Sequence, residues 1–161
     1  RKPQMAMAKG FGIEDYAQPA GGCCFLTDKN YSAKLVDLWK ARDSKDYELD
    51  DVMLLKVGRH IRPKPHFKLI VAREEGEGRF MEGYKRDFIS MKCASHIGPL
   101  VLLDGEPSAE DLYLAASITA RYGHGRDAEH VDMAITQKDG SERTIQVKPL
   151  PGEKLPKKWV I

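Results

Sequence analysis

Long apolar runs are missing from this 161-residue chain. That removes a membrane-spanning helix from the expectations, because a span needs about 20 consecutive apolar residues. Cysteine is scarce, and its count of three is odd, which does not make the paired framework of a small secreted fold. A reducing, cytoplasmic setting with no membrane partner is therefore expected. No methionine opens the chain: Arg1 is followed by Lys2, Pro3 and Gln4, and no apolar signal stretch comes after them. The chain is expected to be a piece of a longer protein. A Walker-type glycine-rich loop is absent, and the glycines from Gly76 to Gly83 do not follow a strand and open a helix as a dinucleotide fingerprint does. No serine sits in a nucleophile elbow. Zinc spacing is absent too, since Cys23 and Cys24 are adjacent and Cys93 with His96 is a single pair, so no metal is expected. A strong excess of one charge is also lacking: the net charge of +2 does not by itself announce a nucleic-acid binder.

What is present is an ordinary globular composition, 42% hydrophobic and 31% charged, in a chain long enough to bury a core. The charge is unevenly placed. From Val52 to Arg73 there is no acidic residue, and Arg59, His60, Arg62, Lys64, Lys68 and Arg73 fall within that stretch together with Lys56 and His66. On one face these groups would make a phosphate-contacting surface. Strand alternation would instead divide them between two faces, and a basic edge strand that discourages aggregation is the competing explanation. A second cluster, Arg121-Tyr122-Gly123-His124-Gly125-Arg126, combines guanidinium groups, a phenol ring and an imidazole suited to phosphates and stacked bases. Its competing explanation is compensation of a helix dipole beside a glycine C-cap.

The pattern of elements predicts an α+β fold, with a mixed, mainly antiparallel sheet backed by a long helix over about 108–122 and a helical N-terminal extension. Pro3 to Phe11 is expected to form a short helix. Tyr31, Leu35, Leu38 and Trp39 recur at helical spacing, with Asp28 and Asn30 as cap-type residues ahead of them. Asp50 and Asp51 precede a short helix that Gly58 ends. Strands are expected at 59–62 and 67–72, with Pro63 and Pro65 at the bend, and again at 87–93 and 99–103. Residues 74–84 fit either a loop or a weak helix. Ser108 and Asp111 form a capping-box pattern, the clearest local signal in the chain. Two alternating runs around Asp139-Gly140 predict a hairpin, and Trp159 to Ile161 could dock as an edge strand.

Cys23 and Cys24 stand after Gly21-Gly22 and before the Asp28 cap, near the positive end of a helix dipole. That placement lowers a thiol pKa and makes Cys24 or Cys23 a candidate nucleophile. Burial as small hydrophobes is the competing fate, and a thiol-redox module built on the pair is a further possibility.

Two resemblances complete this reading. Pro19-Ala20-Gly21-Gly22-Cys23-Cys24-Phe25-Leu26-Thr27-Asp28, with the segment from Arg1 to Tyr16, resembles the C-terminal end of a PP-loop ATPase domain related to tRNA thiouridylases. Gly22-Cys23-Cys24-Phe25 followed by Tyr31 is similar to their cysteine motif, which implies the nucleophile at Cys24; Cys23 stands where that family usually has another residue and is a candidate resolving partner. From Asp51 to Leu150 the chain resembles the NFACT RNA-binding domain in the variant fused to such proteins. Leu55-Lys56-Val57-Gly58-Arg59-His60, Ser108-Ala109-Glu110-Asp111-Leu112, Arg121-Tyr122-Gly123-His124-Gly125-Arg126 and Val147-Lys148-Pro149-Leu150 carry the likeness. It departs from the better-known members, whose Asp-x-Trp-x-His is replaced by Asp87-Phe88-Ile89-Ser90-Met91. The implied organisation is a thiouridylase-like end at 1–50, an RNA-binding domain at 51–150 and a tail at 151–161. The implied partners are tRNA or another structured RNA and a persulfide sulfur donor. ATP and Mg would serve an upstream domain of a sulfurtransferase parent, and the piece alone would be inactive. A translation-associated protein-interaction module is the blander alternative.

Overall fold

The structure, a computed structural model, describes residues 2–15 and 25–161; Cys23 and Cys24 lie outside the described residues. Helix α1 (Lys2–Gly10) comes first, followed by α2 (Lys29–Arg42) and α3 (Leu49–Leu54). Strands β1 (Arg59–Lys64) and β2 (Phe67–Val71) form a hairpin, and α4 (Glu75–Glu82) follows it. Then come β3 (Ile89–Cys93), β4 (Val101–Gly105), α5 (Ala109–Arg121) and a closing hairpin of β5 (Val131–Thr136) and β6 (Glu142–Val147). The strands lie in the order β1-β2-β4-β3-β5-β6, and each neighbouring pair is antiparallel.

Strand alternation gives the sheet two unlike faces. Phe67, Leu69 and Val71 of β2 join Val101, Leu103, Met91, Met133 and Ile135 in a large apolar core. Helix α5 covers that core with Leu112, Ala115, Ala116 and Ile118; the alanines let the helix lie close, and each fully buried Leu, Ile or Val contributes on the order of 1.5–3 kcal/mol. The other residues of β2 belong to the opposite face. There Ile70 and Ala72 pack with Leu54 of α3 and Met81 of α4, but Lys68 shares the face with them. Both faces of β2 are covered, so every residue of it is buried.

Local chemistry fixes the helix starts. Ser108 accepts a hydrogen bond from the Asp111 backbone N–H, and Asp111 accepts from the Ser108 N–H, which closes the capping box. Asp28 caps α2 by accepting from the Tyr31 N–H at 2.8 Å. Helix α3 begins earlier than the aspartates suggest, because Asp51 reaches back to the Glu48 N–H from inside the first turn. Gly58, at φ +70, turns the chain from α3 into β1, where a Cβ would stand 2.9 Å from Ile70 and 3.0 Å from the Val71 carbonyl. Residues 75–82 are helical because Met81 is fully buried and Glu77 ties the first turn to the Arg73 backbone N–H at 2.7 Å.

The C-terminal segment folds back over α5 and along the sheet edge. Leu150 N–H donates to the Ser117 carbonyl, and Leu155 and Trp159 pack on the large core. Val160 bridges Ile61 in antiparallel fashion while Ile161 N–H donates to the His60 carbonyl at 3.1 Å. The outer edge of β1 is thereby paired, which removes an open template for aggregation.

Candidate nucleic-acid interface

The fold disperses the basic residues that the sequence brings into one acid-free stretch. His60 is fully buried, with Nε2 at 3.1 Å from the Val57 carbonyl and 3.3 Å from that of Leu54. A carbonyl can only accept, so Nε2 carries the proton. Burial, then repulsion from Lys68 and Lys34, holds its pKa well below the usual histidine value, leaving the ring neutral. Lys68 is 1% exposed, with Nζ 3.5 Å from Asp104 and 3.7 Å from Asp37. His60 and Lys68, expected at an RNA surface, are therefore interior groups: their partners come from α2, α3 and β4. Arg62 donates from Nε and Nη2 to Asp37 at 2.5 and 2.8 Å, and from Nη1 to the Pro65 carbonyl. Lys64 and His66 converge on Asp111 at 2.5 and 2.8 Å. The Lys64 ammonium, then His66 and the Ser108 N–H, hold the Asp111 carboxyl well below the usual range.

A different arrangement occupies the C-terminal end of α5. The Arg59 guanidinium lies 4.8 Å from the centre of the Tyr122 ring, and that of Arg121 lies 5.9 Å from it. Beside the ring opens a groove of about 410 Å³, walled by the start of α4, the β3–β4 loop, Tyr122 and His124. Arg73, Arg79 and Lys92 reach this groove, and so do Glu74, Glu75 and Glu82, with Arg79 3.9 Å from Glu75. Among the described residues, Arg59, Lys92, Arg121 and His124 have no carboxylate within 4.0 Å. Arg73 is held more firmly, donating to Glu77 at 2.5 and 3.0 Å. Burial works against Glu77 ionising, but Arg73 and the backbone N–H groups of Arg73 and Gly58 bring its pKa down to about 2.

Two glycines let the loops of this site touch. A Cβ on Gly123 would stand 3.1 Å from the Ile97 carbonyl, and one on Gly98 would stand 3.2 Å from the Cys93 Cβ. Without them the backbones close up, and His124 N–H donates to the Ile97 carbonyl at 2.8 Å. Ile97 is left 75% exposed at the groove beside Pro99. Cys93 Sγ accepts from the His96 N–H at 3.1 Å within the same turn. Arg126 is exposed beyond the groove, with its nearest carboxylate on Asp127 at 3.5 Å. Among the described residues no group of three His, Cys, Asp or Glu side chains gathers as for a metal, and no helix is long and apolar enough to cross a membrane.

Of the sequence candidates, the fold brings Arg59, Arg73, Arg121, Tyr122 and His124 together. It sends Arg62 and Lys64 to the far end of β1 and buries His60 and Lys68. Sequence reasoning missed Arg79, Lys92, Ile97 and Pro99 as groove residues. The available signal was the Ile97-Gly98-Pro99 run, an exposed-type turn holding an apolar side chain.

Residues 58–160 match the family model of the NFACT protein RNA binding domain, a range that includes the segment folded over α5. The fold is similar to the solved structure of the C-terminal part of the fibronectin/fibrinogen-binding protein from Streptococcus suis. That likeness has a TM-score of 0.55 at 15% identity, over 65% of this chain and 49% of the other. The chain thus spans about half the length of that structure, and at this identity the likeness concerns the fold alone. Comparison with curated proteins gives no match.

Proposed function

Because the chain belongs to the family of NFACT protein RNA-binding domains, we propose that it binds structured RNA, of the tRNA class, through the cluster at the C-terminal end of α5. One observation carries this reading: Arg59 and Arg121, with no carboxylate within 4.0 Å among the described residues, lie against the Tyr122 ring, and that ring lines a groove that Lys92 also reaches. Guanidinium and ammonium groups of this kind contact phosphates, and a ring at the rim offers an unpaired base a stacking surface. Compensation of the α5 dipole explains Arg121 but not Arg59 or Lys92, which arrive from β1 and β3.

Fluorescence anisotropy with labelled tRNA over a range of salt tests the proposal. The triple variant R59A/K92A/R121A is expected to lose about 100-fold in affinity. Its log–log salt slope should fall by about 2.1 to 2.7, since each of the three lost phosphate contacts removes roughly 0.7–0.9. A folded triple variant with the parent affinity and slope would sink the placement.

The finer reading, that the RNA is a substrate of ATP-dependent sulfur transfer, rests on the likeness of Gly22-Cys23-Cys24-Phe25 to the thiouridylase cysteine motif. It makes Cys24 the sulfur carrier and puts ATP and Mg outside these 161 residues. Mass spectrometry of the untreated protein separates the chemistries: an added sulfur on Cys24 supports transfer, whereas loss of two hydrogens across Cys23 and Cys24 supports a redox pair.

A further inference from the structure

A second groove, of about 380 Å³, lies at the other end of β1, between α2 and the C-terminal segment. Lys40, Arg62, Pro63, Pro65, Lys158 and Trp159 are among its walls. Arg62 is neutralised by Asp37, so the free positive charge is that of Lys40 and Lys158, both exposed and without a carboxylate within 4.0 Å among the described residues. The Trp159 side chain packs on the large core, and its backbone N–H donates to the Pro156 carbonyl at 3.0 Å. The two prolines add flat apolar wall. A peptide cannot add here as an extra strand, because Val160 and Ile161 already occupy the outer edge of β1. An aromatic ring and two unpaired ammonium groups on one groove match a different ligand, an unpaired nucleotide that stacks its base and presents its phosphates.

We infer that this groove is a second contact for the same RNA, taking a single-stranded segment with a base against Trp159 and phosphates at Lys40 and Lys158. The inference rests on the RNA-binding reading above. Position supports it: Arg59 of the first site and Arg62 of the second are three residues apart on β1, about 10 Å along an extended strand, and alternation sets them on opposite faces, so one RNA would reach both by passing around the β1 edge that the C-terminal segment covers. The C-terminal segment, besides covering the sheet edge, then forms part of the binding surface.

The chain has two tryptophans, so the W39F variant leaves Trp159 as the sole indole. Its emission is expected to be quenched in a saturable way by oligouridylate. Independently, K40A/K158A in the otherwise unchanged chain should weaken binding of a long oligouridylate about tenfold and lower its salt slope by about 1.4, at roughly 0.7 per single-strand phosphate contact. A short oligouridylate that fills the first site alone should bind this variant as it binds the parent. Unchanged Trp159 emission and unchanged long-oligomer affinity, with R59A/K92A/R121A still losing RNA, would overturn the second contact and leave the first site standing. Failure of the parent chain to bind any RNA would remove both.

Discussion

Arg59 and Arg62 stand on the same strand and are held in opposite ways. Arg62 is clamped by both oxygens of Asp37 and a backbone carbonyl. Arg59 lies over the Tyr122 ring with no carboxylate within 4.0 Å among the described residues. The difference repeats across the molecule. Toward α2 and α3, Lys34 donates to the Leu55 and Gly58 carbonyls, His60 to those of Leu54 and Val57, and Lys68 sits between Asp37 and Asp104. These three side chains, His60 neutral among them, close the end of a short helix and fill a polar gap in the second core. At the end of α5, Arg59, Lys92 and Arg121 have no carboxylate within 4.0 Å among the described residues, and these are the charges the proposed RNA contact would use. A basic residue points to a binding surface only when the fold leaves its charge unanswered.

The largest expected effect separates the two groups by stability. Lys68→Ala empties the space of a buried side chain and leaves the partly exposed Asp104 without its cation, and should cost about 3 kcal/mol, the low end for breaking a buried ion pair because Asp37 keeps Arg62 and water reaches Asp104. Urea denaturation measures that loss, while tRNA affinity of the folded variant stays within twofold of the parent. A variant of full stability and weakened RNA binding would move Lys68 to the other group.

Tyr122 should show the converse pattern. Tyr122→Leu keeps apolar bulk against the large core but removes the ring, so affinity should fall about 10- to 100-fold, the range for one stacked base. The melting temperature should change little, and Tyr122→Phe should restore binding. Equal losses for Leu and Phe would mean that the hydroxyl, not the ring, makes the contact.

Ser108→Ala acts at the opposite end of α5 and serves as the control for fold. Loss of the cap should cost about 1 kcal/mol, measured by thermal melting, without altering RNA affinity. Coupled loss of affinity would show that the groove senses helix stability rather than its own charges.

These contrasts also explain what could be read from the sequence. The α5 capping box, the Asp28 cap and the β5–β6 hairpin depend on residues within a few positions of one another, and all are visible as motifs. The core face of β2 follows from alternation. The fates of Lys68 and Arg62 depend on Asp37 and Asp104, which lie tens of residues away, so an acid-free stretch in sequence is answered by acids in space. Arg59 with Tyr122 was legible as composition but not as a pair, because only the packing of α5 against the sheet places its last turn beside the start of β1. Lys92 and Ile97 enter the site through the glycine-mediated contact of two loops, which no local pattern announces.

The smallest expected effect concerns the carboxylate that links the two groups. Glu77 holds Arg73 at the groove and has a folded pKa of about 2 against an ordinary 4.5. The folded pKa is depressed, so the unfolded chain binds more protons between these values. The contribution of Glu77 is fully present above pH 4.5 and is lost as pH falls toward 2. Solvent around the half-exposed Arg73 side chain screens the pair, which keeps the effect modest. Glu77→Gln should therefore lower the melting temperature at pH 6 and flatten its fall between pH 5 and 2. At neutral pH the same change removes the carboxylate that holds Arg73 and leaves it only the weaker attraction of Glu74, while other groove cations stay as they are. Affinity for tRNA should rise about two- to threefold, with a salt slope steeper by up to about 0.9, the value of one added phosphate contact. An unchanged slope would mean that Arg73 belongs with Arg62 and Lys68 as a structural cation, and that the interface ends at Arg59, Lys92 and Arg121.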